Sequence, residues 1–347
     1  MRVLFITNTQ RVQRPYLDPA ARYRCFNPAE DMRDRGWIVD VVALSRFRFE
    51  MIGCYDIFIF HKPGYNKQLE AIIALLEKAN KKFLADYDDL IFDKKNALGS
   101  SVYLTGRLDK KAAIDVFDRN HKALKLFNHV IVSTIPLGEQ VKLSNENAQV
   151  FIIHNGLNSR WVESSKLYLK VKPIIGQISY FSGTKSHDHD FQLVEDVLVD
   201  VLRKNKNATL EVVGPLDFSI EKFTKSKLSR VKAVPYEDLP AYISKSWVNI
   251  APLESNIFNN CKSGLKFFEA AVFGVPTVAT PINDMKRFST DGILTPSSSE
   301  DWKEMLSMVL DPSERFRISQ IAYDYAMDCC MSNVQTSKMM DCLENGL

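Results

Sequence analysis

The sequence predicts an α/β fold of two doubly wound, Rossmann-like domains facing an interdomain cleft. Three observations carry that prediction. Short apolar runs alternate with stretches of helical periodicity, and this alternation occurs as two successive series. Between the series lies a Ser- and Lys-rich stretch without clear period, Ser159 to Lys172. The chain has 347 residues, 46% of them hydrophobic, which is long for one domain and enough for two full cores. The domains are therefore placed at residues 1–165 and 166–347.

The first series begins with a buried strand, Arg2 to Thr7, an apolar run too short for a signal peptide. A helix over Pro28 to Arg35 stops at Gly36, and strands follow at Trp37 to Leu44 and Ile57 to His61. Asn66 to Ala79 has apolar residues at helical spacing, Lys82 to Asp86 is a fourth strand, and Asp109 to Phe127 is an amphipathic helix. His129 to Ser133 and Val150 to His154 complete the set. The second series starts at Pro173 to Ile178 and continues through Leu210 to Gly214, Val231 to Val234, Val248 to Pro252 and Thr277 to Thr280. A last helical stretch runs from Ser313 to Met331.

Composition narrows the function. A net charge of +3 is no nucleic-acid footprint. The six cysteines, at positions 25, 54, 261, 329, 330 and 342, show neither CxxC nor metal spacing and read as free thiols of a cytoplasmic protein. No window approaches the roughly 18 apolar residues of a membrane span.

The most informative stretch is Cys261 to Thr280, read as a loop, a short helix and a buried strand. Gly264 lets the backbone approach a ligand as the helix opens, and the free N–H groups of a first turn favour an anion. Lys266 and Glu269 share a helix face, and Gly274 with Pro276 ends the helix. A nucleotide sugar needs this set: donors and a cation for its diphosphate, an acceptor for its ribose hydroxyls. The same Gly and Pro punctuation also closes ordinary α/β helices, so chemistry alone leaves both readings open.

The stretch resembles the nucleotide-binding signature of retaining GT-B glycosyltransferases of the family 4 type, in its polysaccharide-biosynthesis subgroup. Gly264, Leu265, Glu269, Ala270, Gly274 and Pro276 fall on that signature, with Ser263 beside them. The first Glu of the signature is replaced by Cys261, which puts the hold on the donor sugar in question. The resemblance gives Glu269 the ribose, and it implies that the last helix crosses back to the first domain.

A second constellation, Ser179 to Phe191, follows the first strand of the second domain. Ser182, Gly183, Thr184, Lys185 and His187 offer hydroxyls, a cation and helix-start N–H groups to a diphosphate, and Asp188 or Asp190 would cap the helix that follows. Ser-Gly-Thr-x-x-His-Asp-x-Asp-Phe is similar to a subgroup of bacterial polysaccharide glycosyltransferases. Val234 to Pro240, with Tyr236, resembles the family's loop around the nucleobase.

In the first domain, Asp86, Asp88 and Asp89 stand just past a strand end and need a partner for their mutual repulsion. They face the acceptor in the resembling subgroup. Asp86-x-Asp88 is also the pattern by which GT-A transferases hold a divalent metal, which is one alternative, and a plain acidic turn is another. Arg22, Tyr23 and Arg24 read as an acceptor-binding loop or a solvated one, and His61 as a strand-end residue near the acceptor. His154-Asn155-Gly156 resembles the turn that ends the first domain and is assigned a structural role. Lys78, Lys81, Lys82, Lys110, Lys111, Lys122 and Lys125 form a solvated face or a patch that docks on an anionic inner membrane.

The expected function is transfer of a sugar from a nucleoside diphosphate donor, with retention, to a growing, lipid-linked surface glycan such as O-antigen or capsule. No metal, other cofactor or nucleic-acid partner is expected. Lys185, Lys266 and the Gly264 helix start would stabilise the departing diphosphate while Asp86 orients the acceptor. A sugar-nucleotide epimerase of similar architecture and a non-catalytic nucleotide-binding subunit are the other readings.

Overall fold

Six parallel strands build the first sheet: β1 (Arg2–Thr7), β2 (Ile38–Ala43), β3 (Ile57–His61), β4 (Lys82–Tyr87), β5 (His129–Val132) and β6 (Gln149–Ile152), in the order β2-β1-β3-β4-β5-β6. The computed structural model describes residues 1–168, 170–183, 187–288 and 292–347. A second six-stranded sheet holds β7 (Gln177–Phe181), β8 (Thr209–Val213), β9 (Leu228–Val231), β10 (Val248–Ala251), β11 (Thr277–Ala279) and β12 (Ile293–Leu294), in the order β12-β11-β10-β7-β8-β9. Every pairing in both sheets is parallel. The central strands are buried on both faces, which is why they read as apolar runs without alternation. Each sheet reverses its winding once, between β1 and β3 in the first and between β7 and β10 in the second. Carboxyl ends at such switch points are where open α/β sheets bind ligands.

The chain divides into two units. One comprises Met1–Asn158, Cys261–Ser263 and Met331–Leu347, and the other Ser159–Asn260 and Gly264–Cys330. The break thus falls at 158/159 rather than at 165/166, and the stretch expected as a linker is a helix, Ser159–Tyr168. Its buried face is Trp161, Val162 and Ser165, and the serine interrupts the apolar period that would have betrayed it. The expected strand at Pro173 to Ile178 starts later, at Gln177. Gly176 turns there with φ +80, and Ile174 and Ile175 before it are exposed. The edge strand β12 has two residues, too few to carry a period.

The terminal helical stretch is two helices. Pro312–Cys329 stays with the second unit, while Ser332–Asn345 packs in the first. Met339 and Leu343 join the first core beside Val3, Phe5 and Ile59. The Ser332 N–H donates to the Leu157 carbonyl at 2.7 Å, His154 N–H donates to Gln335 Oε1, and the Ser332 and Thr336 hydroxyls both donate to Asp31. Gly156 sits under this helix start: a Cβ there would lie 2.7 Å from Ser332 Cα. Gly156→Ala should therefore cost about 2 kcal/mol of stability through overpacking against backbone that cannot yield. A lower urea midpoint for this variant is the expected reading; an unchanged midpoint would show that the helix start is not tightly seated.

Candidate functional site

The first unit gathers its polar residues at the carboxyl ends of β1, β3 and β4. The register places Thr7 beside His61 and His61 beside Asp86. Thr7 Oγ1 lies 3.0 Å from His61 Nδ1, and His61 Nε2 faces Asp88 Oδ1 at 3.6 Å, too long for a hydrogen bond. Lys62 Nζ bridges Asp88 (2.7 Å) and Asp89 (2.8 Å) from a left-handed backbone position, φ +50. Burial acts to raise the Asp88 carboxyl, but Lys62 and His61 override it and hold the group far below the usual carboxylate range. The same acids push the Lys62 ammonium upward against its own desolvation.

Asp86 and Arg24 are engaged with each other. Arg24 Nε donates to Asp86 Oδ1 (2.8 Å), and a terminal nitrogen donates to Oδ2 (3.1 Å). The other terminal nitrogen donates to the Ile153 carbonyl (2.7 Å) and Asn155 Oδ1 (3.1 Å). Asp86 is 0% exposed and Arg24 1%. Burial pushes the Asp86 carboxyl up while Arg24 and His61 pull it down. Asp86, expected to face an acceptor, thus has an internal partner on both its oxygens. Arg22, Tyr23 and Arg24 are not a loop either. They lie buried in a single π-helical turn, Arg22–Phe26, with the Arg22 guanidinium 4.9 Å from the Tyr16 ring. A run of basic residues looks solvated in sequence because its counter-charge, Asp86, is 62 residues away. Asn155 anchors Arg24, and Asn27 donates to the Gly156 carbonyl, so the turn after β6 is structural.

In the second unit the helix Leu265–Ala271 opens at Gly264 without a side-chain cap. The Gly264 N–H does not await an outside anion: it donates to Asp284 Oδ2 at 2.6 Å, and Arg287 Nε holds the other oxygen at 2.6 Å. A Cβ at 264 would meet Phe288 at 2.5 Å. The close approach of segment 284–288 therefore requires a glycine at this position. Lys266, on the first turn, lays its ammonium 4.2 Å from the centre of the Tyr180 ring. The Glu269 carbonyl accepts from Trp161 Nε1 (3.2 Å), and Trp161 stacks on Tyr236 with centroids 4.5 Å apart. Trp161 thereby joins two residues expected at the nucleoside, and no sequence signal marked it. Leu265 and Glu269 are half-buried on the same helix.

The loop after β7 is tied to its neighbours. Ser182 Oγ donates to the Pro215 carbonyl, Gly183 is exposed, and Thr184 and Lys185 lie outside the described residues. His187 occupies the start of helix Asp188–Lys204 and makes no side-chain cap bond among the described residues. Asp190 and Asp188, expected as caps, point elsewhere. Asp190 Oδ2 pairs with His187 Nδ1 (2.8 Å), while its Oδ1 accepts from the Glu254 N–H (2.8 Å) past β10. Asp188 accepts from the Asp217 N–H past β8 (3.0 Å). Two carboxylates thus hold three strand-end loops together, which outweighs capping a helix whose start already has those loops beside it.

Cys261 and Ser263 group with the first unit, where Thr134 Oγ1 donates to the Cys261 carbonyl at 2.8 Å. Burial pushes the Cys261 thiol up to about 12, so a neutral group stands where the signature carries a carboxylate. Ser263 Oγ is buried without a hydrogen-bond partner among the described residues.

Residues 174–311 match the family model for glycosyl transferases group 1. Over these residues the chain is similar to group 1 glycosyltransferases. The match takes in His187, Tyr236, Gly264, Lys266 and Glu269, and with them all of the expected donor residues. No curated protein matches the chain by sequence. Among solved structures it is similar to HepE of Anabaena in complex with UDP, at TM-score 0.65 and 13% identity, with 99% of each chain covered. It is similar to WaaG, a glycosyltransferase involved in lipopolysaccharide biosynthesis, at TM-score 0.59 and 15% identity over 99% of this chain and 100% of that one. It also resembles a putative UDP-N-acetylglucosamine 2-epimerase from Listeria monocytogenes, at TM-score 0.56 and 10% identity over 99% of this chain and 96% of that one. Two parallel sheets with their helices make this glycosyltransferase GT-B in fold, which overturns the GT-A alternative. Its aspartate pair is also divided, Asp86 going to Arg24 and Asp88 to Lys62.

Two stability changes follow in this glycosyltransferase. Asp86→Ala strands the Arg24 charge inside the protein and should cost about 3–5 kcal/mol in urea unfolding. A cost under about 1 kcal/mol would mean that water reaches the guanidinium. Asp88→Asn should cost less and change the pH profile. The native Asp88 carboxyl is depressed, so its contribution is full above about pH 4 and drains away as pH falls through the native value. The Asn variant should lose less stability on acidification than the parent, and parallel acid limbs for the two proteins would contradict that account.

Proposed function

We propose that the protein transfers a sugar from a nucleoside diphosphate donor to a growing surface glycan, with retention of anomeric configuration. The observation that carries this is the group 1 glycosyltransferase match across the unit that holds Lys266, Glu269 and Tyr236. HepE in complex with UDP and UDP-glucose supports a uridine donor, and WaaG supports a lipopolysaccharide-type acceptor such as a lipid-linked O-antigen or capsule precursor. In this reading Glu269 takes the ribose hydroxyls, and the Trp161–Tyr236 stack flanks the nucleoside. Lys266, with Lys185, neutralises the departing diphosphate without a metal. Because both Asp86 oxygens are engaged, acceptor orientation passes to Asp88 and His61.

Transfer with retention needs no protein nucleophile if a phosphate oxygen of the leaving group takes the acceptor proton. The protein's share is then to fix the donor and to hold charge where the C–O bond breaks. The epimerase reading has one observation in its favour, the likeness to the Listeria protein, and it requires no acceptor. Among the described residues no helix is long and apolar enough to cross a membrane, so a lipid-linked acceptor would be met at a surface. Lys78, Lys82, Lys110, Lys111, Lys122 and Lys125 are exposed, while Lys81 is half-buried and donates to the Tyr55 carbonyl. The exposed set is the patch for an anionic membrane.

Calorimetric titration with UDP, GDP and dTDP, in EDTA and then with Mn²⁺, tests the donor site. UDP should bind in EDTA, and Glu269→Ala should weaken it at least tenfold, about 1.4 kcal/mol. Binding that needs Mn²⁺ and ignores Glu269 would sink the proposal. Conversion of a UDP-sugar in the absence of acceptor would move the protein to the epimerase class.

A further inference from the structure

Lys266 is a long, flexible side chain asked to present one fixed charge, and the structure shows what steadies it. Its ammonium lies 4.2 Å from the centroid of the Tyr180 ring. A cation over the negative face of an aromatic ring is held electrostatically, and more strongly where water is excluded. The ring is a rigid platform. Tyr180 sits on β7 at the switch point of the second sheet and is 0% exposed. It packs against Phe191 with centroids 5.3 Å apart. The backbone of Lys266 is pinned as well, because Asn249 Nδ2 on β10 donates to its carbonyl at 3.0 Å.

We infer that Tyr180 is a positioning residue for the diphosphate of the donor: its ring face holds the Lys266 ammonium in the place where the phosphates bind. This rests on the donor-site reading above. The phenol oxygen takes no part. Tyr180 Oη is buried without a hydrogen-bond partner among the described residues, and burial pushes its ionisation far up, so it remains a neutral hydroxyl. An unpaired buried hydroxyl costs stability, so the ring without it should serve at least as well.

The test is a double-mutant cycle on the full chain, read as UDP affinity by calorimetry. Tyr180→Phe keeps the ring and should bind UDP within about twofold of the parent. Tyr180→Leu removes the π face and should weaken binding about five- to tenfold. Tyr180→Met, which fills irregular core space, makes the same comparison if the leucine variant does not fold. In a Lys266→Ala background the Tyr180→Leu or Tyr180→Met change should cost nothing further. The same loss in both backgrounds overturns the inference, because a residue that merely packs the core acts independently of Lys266. Parent-like binding by the Leu or Met variant overturns it equally. If Lys266→Ala alone binds UDP like the parent, the donor-site reading fails and this inference fails with it.

Discussion

The Arg24 guanidinium organises the polar end of the first sheet. Its planar fork is satisfied by three partners from separate parts of the chain: the Asp86 carboxylate, the Ile153 carbonyl and the Asn155 side chain. Because Asp86 is in register with His61, and His61 with Thr7, fixing one carboxylate fixes a row across three strands. A buried ion pair recovers little net energy once its desolvation is counted. What it supplies here is geometry. The π-helical turn of Arg22–Phe26, the end of β4 and the exit from β6 can meet in one arrangement that leaves no charge unpaired.

Asp190 and Asp284 do comparable work in the second unit by accepting backbone N–H groups from elsewhere in the chain. Asp190 ties the loop after β7 to the loop after β10, on either side of the switch point. Asp284 occupies the Gly264 N–H at the start of the helix that carries Lys266 and Glu269. Carboxylates so used are structural anions. They set the helix and loop positions from which the cationic and aromatic side chains of the proposed donor site project.

The strands and the two-series layout were legible because central parallel strands are continuous apolar runs, as in Val3 to Ile6 and Ile57 to Phe60. Lys266, Glu269 and Tyr236 were legible as a motif. Their joining by Trp161 was not, because Trp161 belongs to a helix whose apolar face is broken by Ser165. The internal partners of Asp86, Arg24 and Gly264 were not legible for one reason. Each has a partner remote in sequence, at Arg24, Asp86 and Asp284 respectively, and local pattern reports residue type without reporting what a distant segment supplies. A charged residue whose counter-ion is hidden looks like a site awaiting a ligand.

The helix Ser332–Asn345 also bears on how the protein is made. The core around Val3, Phe5 and Ile59 is closed by Met339 and Leu343, and Leu157 pairs with the backbone of Ser332. On a ribosome the first residues therefore wait while more than 300 others are polymerised, with part of their apolar surface uncovered. The second unit, apart from Cys261–Ser263, is contiguous from Ser159 to Cys330 and can close as soon as it emerges. The order of maturation is thus the reverse of the order of synthesis: the unit begun first is finished last.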